Sequence, residues 1–141
     1  MPLPMWLKRL LRARGVGVRD GHLRVGRRGE RFAERFLKRG GYRILHRNLK
    51  LGSDEADLVV LDPDGHTLVM VEVKTRTGDY LVPEANISRA KQRSVARVGA
   101  RLLQKPEHGD RPLRFDVVSI YWPPRGRPQL RHHVGAFPSP W

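Results

Sequence analysis

An α/β domain, a mixed β-sheet flanked by helices, follows from three features of this 141-residue sequence. The stretch Glu55 to Arg76, EADLVVLDPDGHTLVMVEVKTR, reads as two strands around a tight turn. Helical periodicity lies on either side of it, at Gly26 to Gly40 and Asn86 to Lys105. A further strand pattern, LRFDVVSIYW, follows the second helix at Leu113 to Trp122. The length suits one domain with one core. Residues 1–20 form a basic N-terminal extension, 21–123 the core, and 124–141 a Pro/Gly-rich tail with a short strand-like piece near Leu130 to Val134.

In the first helix Phe32, Ala33, Phe36 and Leu37 share one face, and Gly40 and Gly41 end it. Glu30 falls on its first turn, where the helix dipole favours an acid. YRILHRNLK, Tyr42 to Lys50, follows as a strand with Ile44 and Leu45 inward and Arg43, Arg47 and Lys50 exposed. Asn48 is expected to make a loop hydrogen bond and His46 to face solvent. In the hairpin Pro63 presets φ, Gly65 accepts φ > 0, and the flanks are rich in strand formers. TRTGDYLVPE then reads as a loop. The second helix carries a stripe of Ile87, Ala90, Val95, Val98 and Leu102, decorated by Lys91, Arg93, Arg97 and Arg101. The last strand alternates Phe115, Val117 and Ser119 with Asp116, Val118 and Ile120 and is mostly buried; Asp116 is expected to pair with an arginine or cap a helix. The first three strands would form an antiparallel meander, and the fourth returns alongside it, able to pair in parallel.

Placing Pro63 and Asp64 at the centre of the turn sets Leu61 opposite His66, Val59 opposite Leu68 and Asp57 opposite Met70. Glu55, Asp57, Glu72 and Lys74 then share a face, an assignment that survives a slip of two residues. Like charges facing each other across a ladder destabilise it, and a divalent cation would relieve three carboxylates gathered there. Oxygen ligands of this kind are what Mg²⁺ or Mn²⁺ prefers. Lys74 would bring an ammonium to the same place.

Charge is divided unevenly along the chain. Residues 1–50 carry 15 Lys and Arg against 3 acids, 51–75 carry 1 against 6, and 76–141 carry 12 against 5. A basic body around one acidic focus suits an enzyme that attracts a polyanion and holds a metal. With no cysteine there is neither a disulfide framework nor a thiolate metal site. His132 and His133 are adjacent, hence on opposite faces if extended, which makes a poor two-His site. Apolar runs are too short to span a bilayer, and the start lacks the layout of a signal peptide. A cytoplasmic protein is the expectation.

An acidic residue on one strand and Glu-x-Lys on the next resembles the core of the restriction-endonuclease-like nucleases, the PD-(D/E)xK group. The wider pattern is GxxGExxAxxFLxxxGYxILxRN at Gly26 to Asn48, EADLVVLD, VMVEVKTR, a lysine-bearing helix, and RFDVVSI at Arg114 to Ile120. From about residue 26 to the last strand it resembles the bacterial YraN-like family of uncharacterised proteins, whose fold is similar to Holliday-junction resolvases. Two departures stand out. Ala56 replaces a proline before Asp57, and a usual Gly-Glu-Ile-Asp reads Asp54-Glu55-Ala56-Asp57.

The resemblance implies a restriction-endonuclease-like fold and a Mg²⁺- or Mn²⁺-dependent nuclease acting on DNA, including branched DNA. Asp57 and Glu72, with the Val73 carbonyl and Glu55, would bind metal, and Lys74 would act in catalysis. It places Glu30 near the metal, beside the dipole reading of that residue. Thr75, Arg76, Lys91 and Arg28 would meet nucleic acid. A homodimer is allowed, and no membrane is involved. The alternative is a non-catalytic DNA- or RNA-binding scaffold on the same fold, and a weaker one is a module whose basic surface meets an acidic protein.

Overall fold

The computed structural model describes residues 18–77 and 86–139, with side chains from residue 26 onward. Five strands form one sheet in the order β1-β2-β3-β4-β5. In chain order the elements are α1 (Val18–Arg39), β1 (Arg43–Leu51), β2 (Asp54–Leu61), β3 (Leu68–Thr77), α2 (Arg89–Leu103), β4 (Leu113–Trp122) and β5 (Gln129–His133). The β1-β2-β3 meander is antiparallel, β3 and β4 run parallel across the α2 crossover, and β5 returns antiparallel. This is the expected mixed sheet flanked by helices.

Each face of the sheet is covered by one helix. Ala33 and Leu37 of α1 pack on Leu58, Val60, Val69, Val71, Val118 and Ile120. On the other face Val95, Ala96, Val98 and Leu102 of α2 pack on Val59, Leu68, Met70, Phe115 and Val117, joined by Phe137 from the C-terminal tail. The phenyl rings of Phe115 and Phe137 stack with centroids 5.1 Å apart. Strands buried on both faces explain the near-continuous apolar runs of β2, β3 and β4.

Several local expectations are corrected. Helix α1 begins at Val18, well before Gly26, so Glu30 sits in its middle and the dipole reading no longer applies. Phe36 is 43% exposed, at the margin of the buried stripe. Helix α2 starts at Arg89, capped by the Ser88 hydroxyl, which accepts from the Lys91 N–H at 3.2 Å; Ala90 is exposed on that first turn. His46 is half-buried rather than solvent-facing, and burial lowers its pKa. The region from Thr75 to Thr77, expected as loop, continues β3 because Ile120–Trp122 of β4 provide its partners. Residues 78–85 of that loop and 1–17 of the N-terminal extension lie outside the described residues.

The hairpin register is shifted by two from the expected one, with Val59 opposite Met70 and Leu61 opposite Leu68. The cause is a longer turn. Asp62 and Thr67 close it through Asp62 N–H to Thr67 O at 3.0 Å, and the Asp64 carboxylate accepts from the His66 and Thr67 N–H groups and the Thr67 hydroxyl. Those bonds hold the Asp64 carboxyl down at about 2.

Asp116, fully buried on β4, ties the sheet to its flanks. It accepts from Arg114 through Nε and Nη2 at 2.9 Å each and from the Gly135 N–H at 2.9 Å, and it meets His132 Nε2 of β5 at 2.8 Å. Arg114 also reaches Asp62 at 2.8 Å and the Tyr42 hydroxyl at 3.0 Å. Burial alone would raise the Asp116 carboxyl, but these bonds outweigh it and hold its pKa below the usual value. Asp116→Asn should therefore destabilise the protein by about 3–5 kcal/mol at pH 7. A depressed pKa stabilises above the unfolded value near 3.9 and is lost as pH falls through the folded one. The gap between wild type and variant in urea unfolding should thus narrow below about pH 4; a gap constant down to pH 2 would rule out the ionised carboxylate as its source.

Candidate active site

The ladders around β2 and β3 separate at one level of the sheet. Pairing of β2 with β3 runs from Leu61↔Leu68 to Leu58↔Val71, whereas β2 follows β1 on to Leu51↔Asp54 and β3 follows β4 on to Thr77↔Trp122. The next residues after Leu58 and Val71 along this fork are Asp57 and Glu72. Asp57 Oδ2 accepts from the Val73 N–H at 2.8 Å, replacing a carbonyl of the neighbouring strand.

The two carboxyl groups are close enough to share a hydrogen bond. Glu72 is buried, and its Oε1 has no hydrogen-bond partner among the described residues. Burial and the negative charge of Asp57 push Glu72 up to about 8, and burial likewise raises Asp57. Lys91, on the first turn of α2, sits 3.7 Å from Glu72 and 3.5 Å from Glu55. Lys74 shares the Glu72 face of β3 and donates through Nζ to the Asn86 carbonyl at the entrance to α2. Asp54 clamps that helix from β2: Arg97 bonds it at 3.0 and 2.8 Å and the Ser94 hydroxyl at 3.1 Å.

From the other face α1 brings Glu30. Gly29 makes that approach close, since a Cβ there would lie 2.1 Å from Thr75 Oγ1. Glu30 bonds the Asn48 side chain, and burial together with Asp57 and Glu55 raises its pKa. Asn48 was missed as a site residue. It lies within β1 at the register position opposite Asp57 and adopts φ +47°, a left-handed conformation that asparagine tolerates. Its identity beside the hairpin acids was a signal that a loop reading passed over.

The fold therefore gathers Asp57, Glu72, Glu55, Glu30, Val73, Lys74 and Lys91 around one fork. The residues expected to meet nucleic acid divide. Thr75 is held against the α1 backbone, Arg76 is exposed farther along β3, and Arg28 lies over the Trp122 ring, 5.2 Å from its centroid. Lys91 faces carboxylates rather than open solvent. Among the described residues no three His, Cys, Asp or Glu side chains converge as a metal cluster. The donor set still fits Mg²⁺ or Mn²⁺, which is commonly held by one or two carboxylates with waters and substrate phosphate, and Oε1 of Glu72, with no hydrogen bond among the described residues, could serve as a donor.

Fold and site define an α/β protein with a carboxylate pair set into a split sheet. The chain belongs to the uncharacterised protein family UPF0102, whose model matches residues 29–120. It is 44% identical over 115 residues to a UPF0102 protein of Symbiobacterium thermophilum, covering 81% of this chain and 96% of that one. A relative from Pelobacter propionicus is 38% identical over 121 residues, covering 85% and 86%, and one from Frankia alni is 42% identical over 115, covering 80% and 93%. No helix among the described residues is long and apolar enough to cross a membrane.

An acid whose folded pKa lies above its unfolded value costs stability once the unfolded chain can ionise, a cost that grows with pH until the folded group has ionised too. For Glu72 that window runs from about 4, the unfolded value, to about 8. Glu72→Gln should thus stabilise the metal-free protein in urea unfolding, little at pH 4 and increasingly up to a plateau above pH 8. A variant less stable than wild type at pH 8 would contradict this electrostatic picture.

Proposed function

We propose that this protein is a divalent-metal-dependent nuclease that hydrolyses DNA phosphodiesters, with branched DNA among its substrates. The observation that carries the reading is the pair of half-buried Asp57 and buried Glu72 at the fork, with a carboxylate oxygen that has no hydrogen-bond partner among the described residues, inside a chain of net charge +14. Asp57, Glu72 and the Val73 carbonyl would hold Mg²⁺ or Mn²⁺, assisted by Glu55 and Glu30. The metal, when bound, supplies a Lewis acid that polarises the phosphate and activates water. Lys91 offsets the carboxylate charge, and Lys74, on the Glu72 face of β3 and bonded to the Asn86 carbonyl, would turn to the negative charge that builds on the phosphate. The surrounding arginines attract the polyanion. The likeness to resolvase-type nucleases adds weight to this reading, as does the match of Asp57, Glu72 and Lys74 to their acidic-residue and Glu-x-Lys pattern. The cytoplasm, where DNA of a bacterial cell lies, is the proposed compartment.

A panel of labelled single strands, duplexes, flaps, forks and four-way junctions tests it in Mg²⁺, Mn²⁺ and EDTA. Cleavage should require metal and fall roughly 100-fold or more in Glu72→Gln and Lys74→Ala, with circular dichroism and most of the DNA affinity retained. Binding without cleavage under either metal, unaltered in Glu72→Gln, would leave a non-catalytic scaffold instead.

A further inference from the structure

Along α1 the surface carries a trough that starts at Glu30 and runs on beyond the hairpin chemistry. A cleft of about 250 Å³ begins beside the fork, with Arg27, Glu30 and Asn48 on its walls. A second, of about 360 Å³, is walled by Arg28, Arg35 and Trp122. Arg31 and Glu34 line both, so the two adjoin. Glu34 is already neutralised, bonded by Arg47 at 2.9 and 2.5 Å and paired with Lys38 at 3.0 Å. Arg28, Arg31 and Arg35 recur at three- and four-residue spacing on the helix and are exposed. The aromatic end is built: Phe32 packs on Trp122 with centroids 5.8 Å apart, Arg28 lies over the indole, and the indole Nε1 has no hydrogen-bond partner among the described residues. On α2, by contrast, Arg97 is committed to Asp54 and Lys91 to Glu55 and Glu72.

We propose that a single-stranded DNA segment runs along α1, from the carboxylate fork past Arg31 to Trp122, its phosphates gripped by Arg28, Arg31 and Arg35. The clefts, of about 250 and 360 Å³, lie near the low end of small-ligand pockets, about 300 Å³, which suits one nucleotide at a time. Arginines tracking a backbone beside an aromatic wall are the usual means of holding an unpaired strand. The assignment rests on the nuclease reading, which brings the strand to the fork, and it specifies that reading by making an unpaired stretch, such as a flap or a junction arm opened at its branch, the part of the substrate that is held.

The test measures anisotropy of a short labelled oligonucleotide, single-stranded or as a duplex, against full-length Glu72→Gln protein in EDTA, across a salt series. Adding Arg28→Gln, Arg31→Gln and Arg35→Gln together should weaken single-strand binding at least tenfold. The slope of log affinity against log salt should become shallower by about 2, at roughly 0.7 for each phosphate that an arginine no longer neutralises. The charge-matched control, Arg93→Gln, Arg101→Gln and Lys105→Gln on the α2 side, should lose much less. Equal losses in both triples, an unaffected α1 triple, or a preference for the duplex would overturn the proposal. Cleavage by the wild-type protein is scored separately. An inactive wild type with a selective α1 loss sinks the nuclease reading and keeps the trough; an active one with an unaffected α1 triple does the reverse.

Discussion

A main-chain N–H at the point where two strands separate must find an acceptor, and Asp57 provides it for Val73. Much of the site follows from that bond. Once β2 stays with β1 and β3 stays with β4, the gap between them admits side chains where a ladder would have run. Asp57 turns into the gap to satisfy Val73, and Glu72, one residue earlier on β3, is drawn against it. Their proximity and their loss of solvent have a single origin: burial raises both carboxyls, and the Asp57 charge raises Glu72 further.

Two helices then dock on the split sheet by different means. The α2 face is set by charge: Asp54 at the start of β2 grips Arg97 and Ser94, which delivers the first turn of the helix, and with it Lys91, to the acids. The α1 face is set by closeness. Without a Cβ at Gly29 the helix backbone can settle on Thr75, and the neighbouring Glu30 reaches Asn48. Asn48 accepts a left-handed backbone in the middle of β1 at the position facing Asp57, a local cost on the order of 1 kcal/mol. The cores beneath both helices are ordinary apolar packing and impose no such departures.

How much of this was legible in the sequence varied with the range of the interaction. The element order, both helices, the hairpin and the antiparallel meander were readable because period and turn chemistry are local. The shared face of Asp57, Glu72 and Lys74 was readable as well, since a two-residue slip in register preserves it. The slip itself was not. It depends on how many bonds the Asp64 carboxylate collects within the turn, and counting Pro63 and Gly65 does not supply that. Thr75 looked like a loop hydroxyl because its strand partner, Ile120, lies far along the chain. Lys91 was singled out by resemblance, but its place between Glu55 and Glu72 needed the cap at Ser88 and the clamp at Asp54, both tertiary facts. Burial of Phe137 against Phe115, from a tail dense in proline and glycine, had no periodic signature at all.

The acids of this protein also show what a purely structural carboxylate looks like here. Asp116 is fully buried, yet Arg114, His132 and the Gly135 N–H satisfy both its oxygens and its pKa is lowered. Asp54 and Glu34 are each gripped by an arginine through two bonds and are lowered too. A chain with 28 lysines and arginines has cations enough to treat Asp57 and Glu72 in the same way. It sets them against each other instead, leaves Glu72 Oε1 without a hydrogen-bond partner among the described residues, and pairs it with the Lys91 ammonium at 3.7 Å rather than with an arginine fork. An arrangement without the arginine fork leaves Glu72 Oε1 open to a cation, and that is the property that a phosphodiesterase site would need.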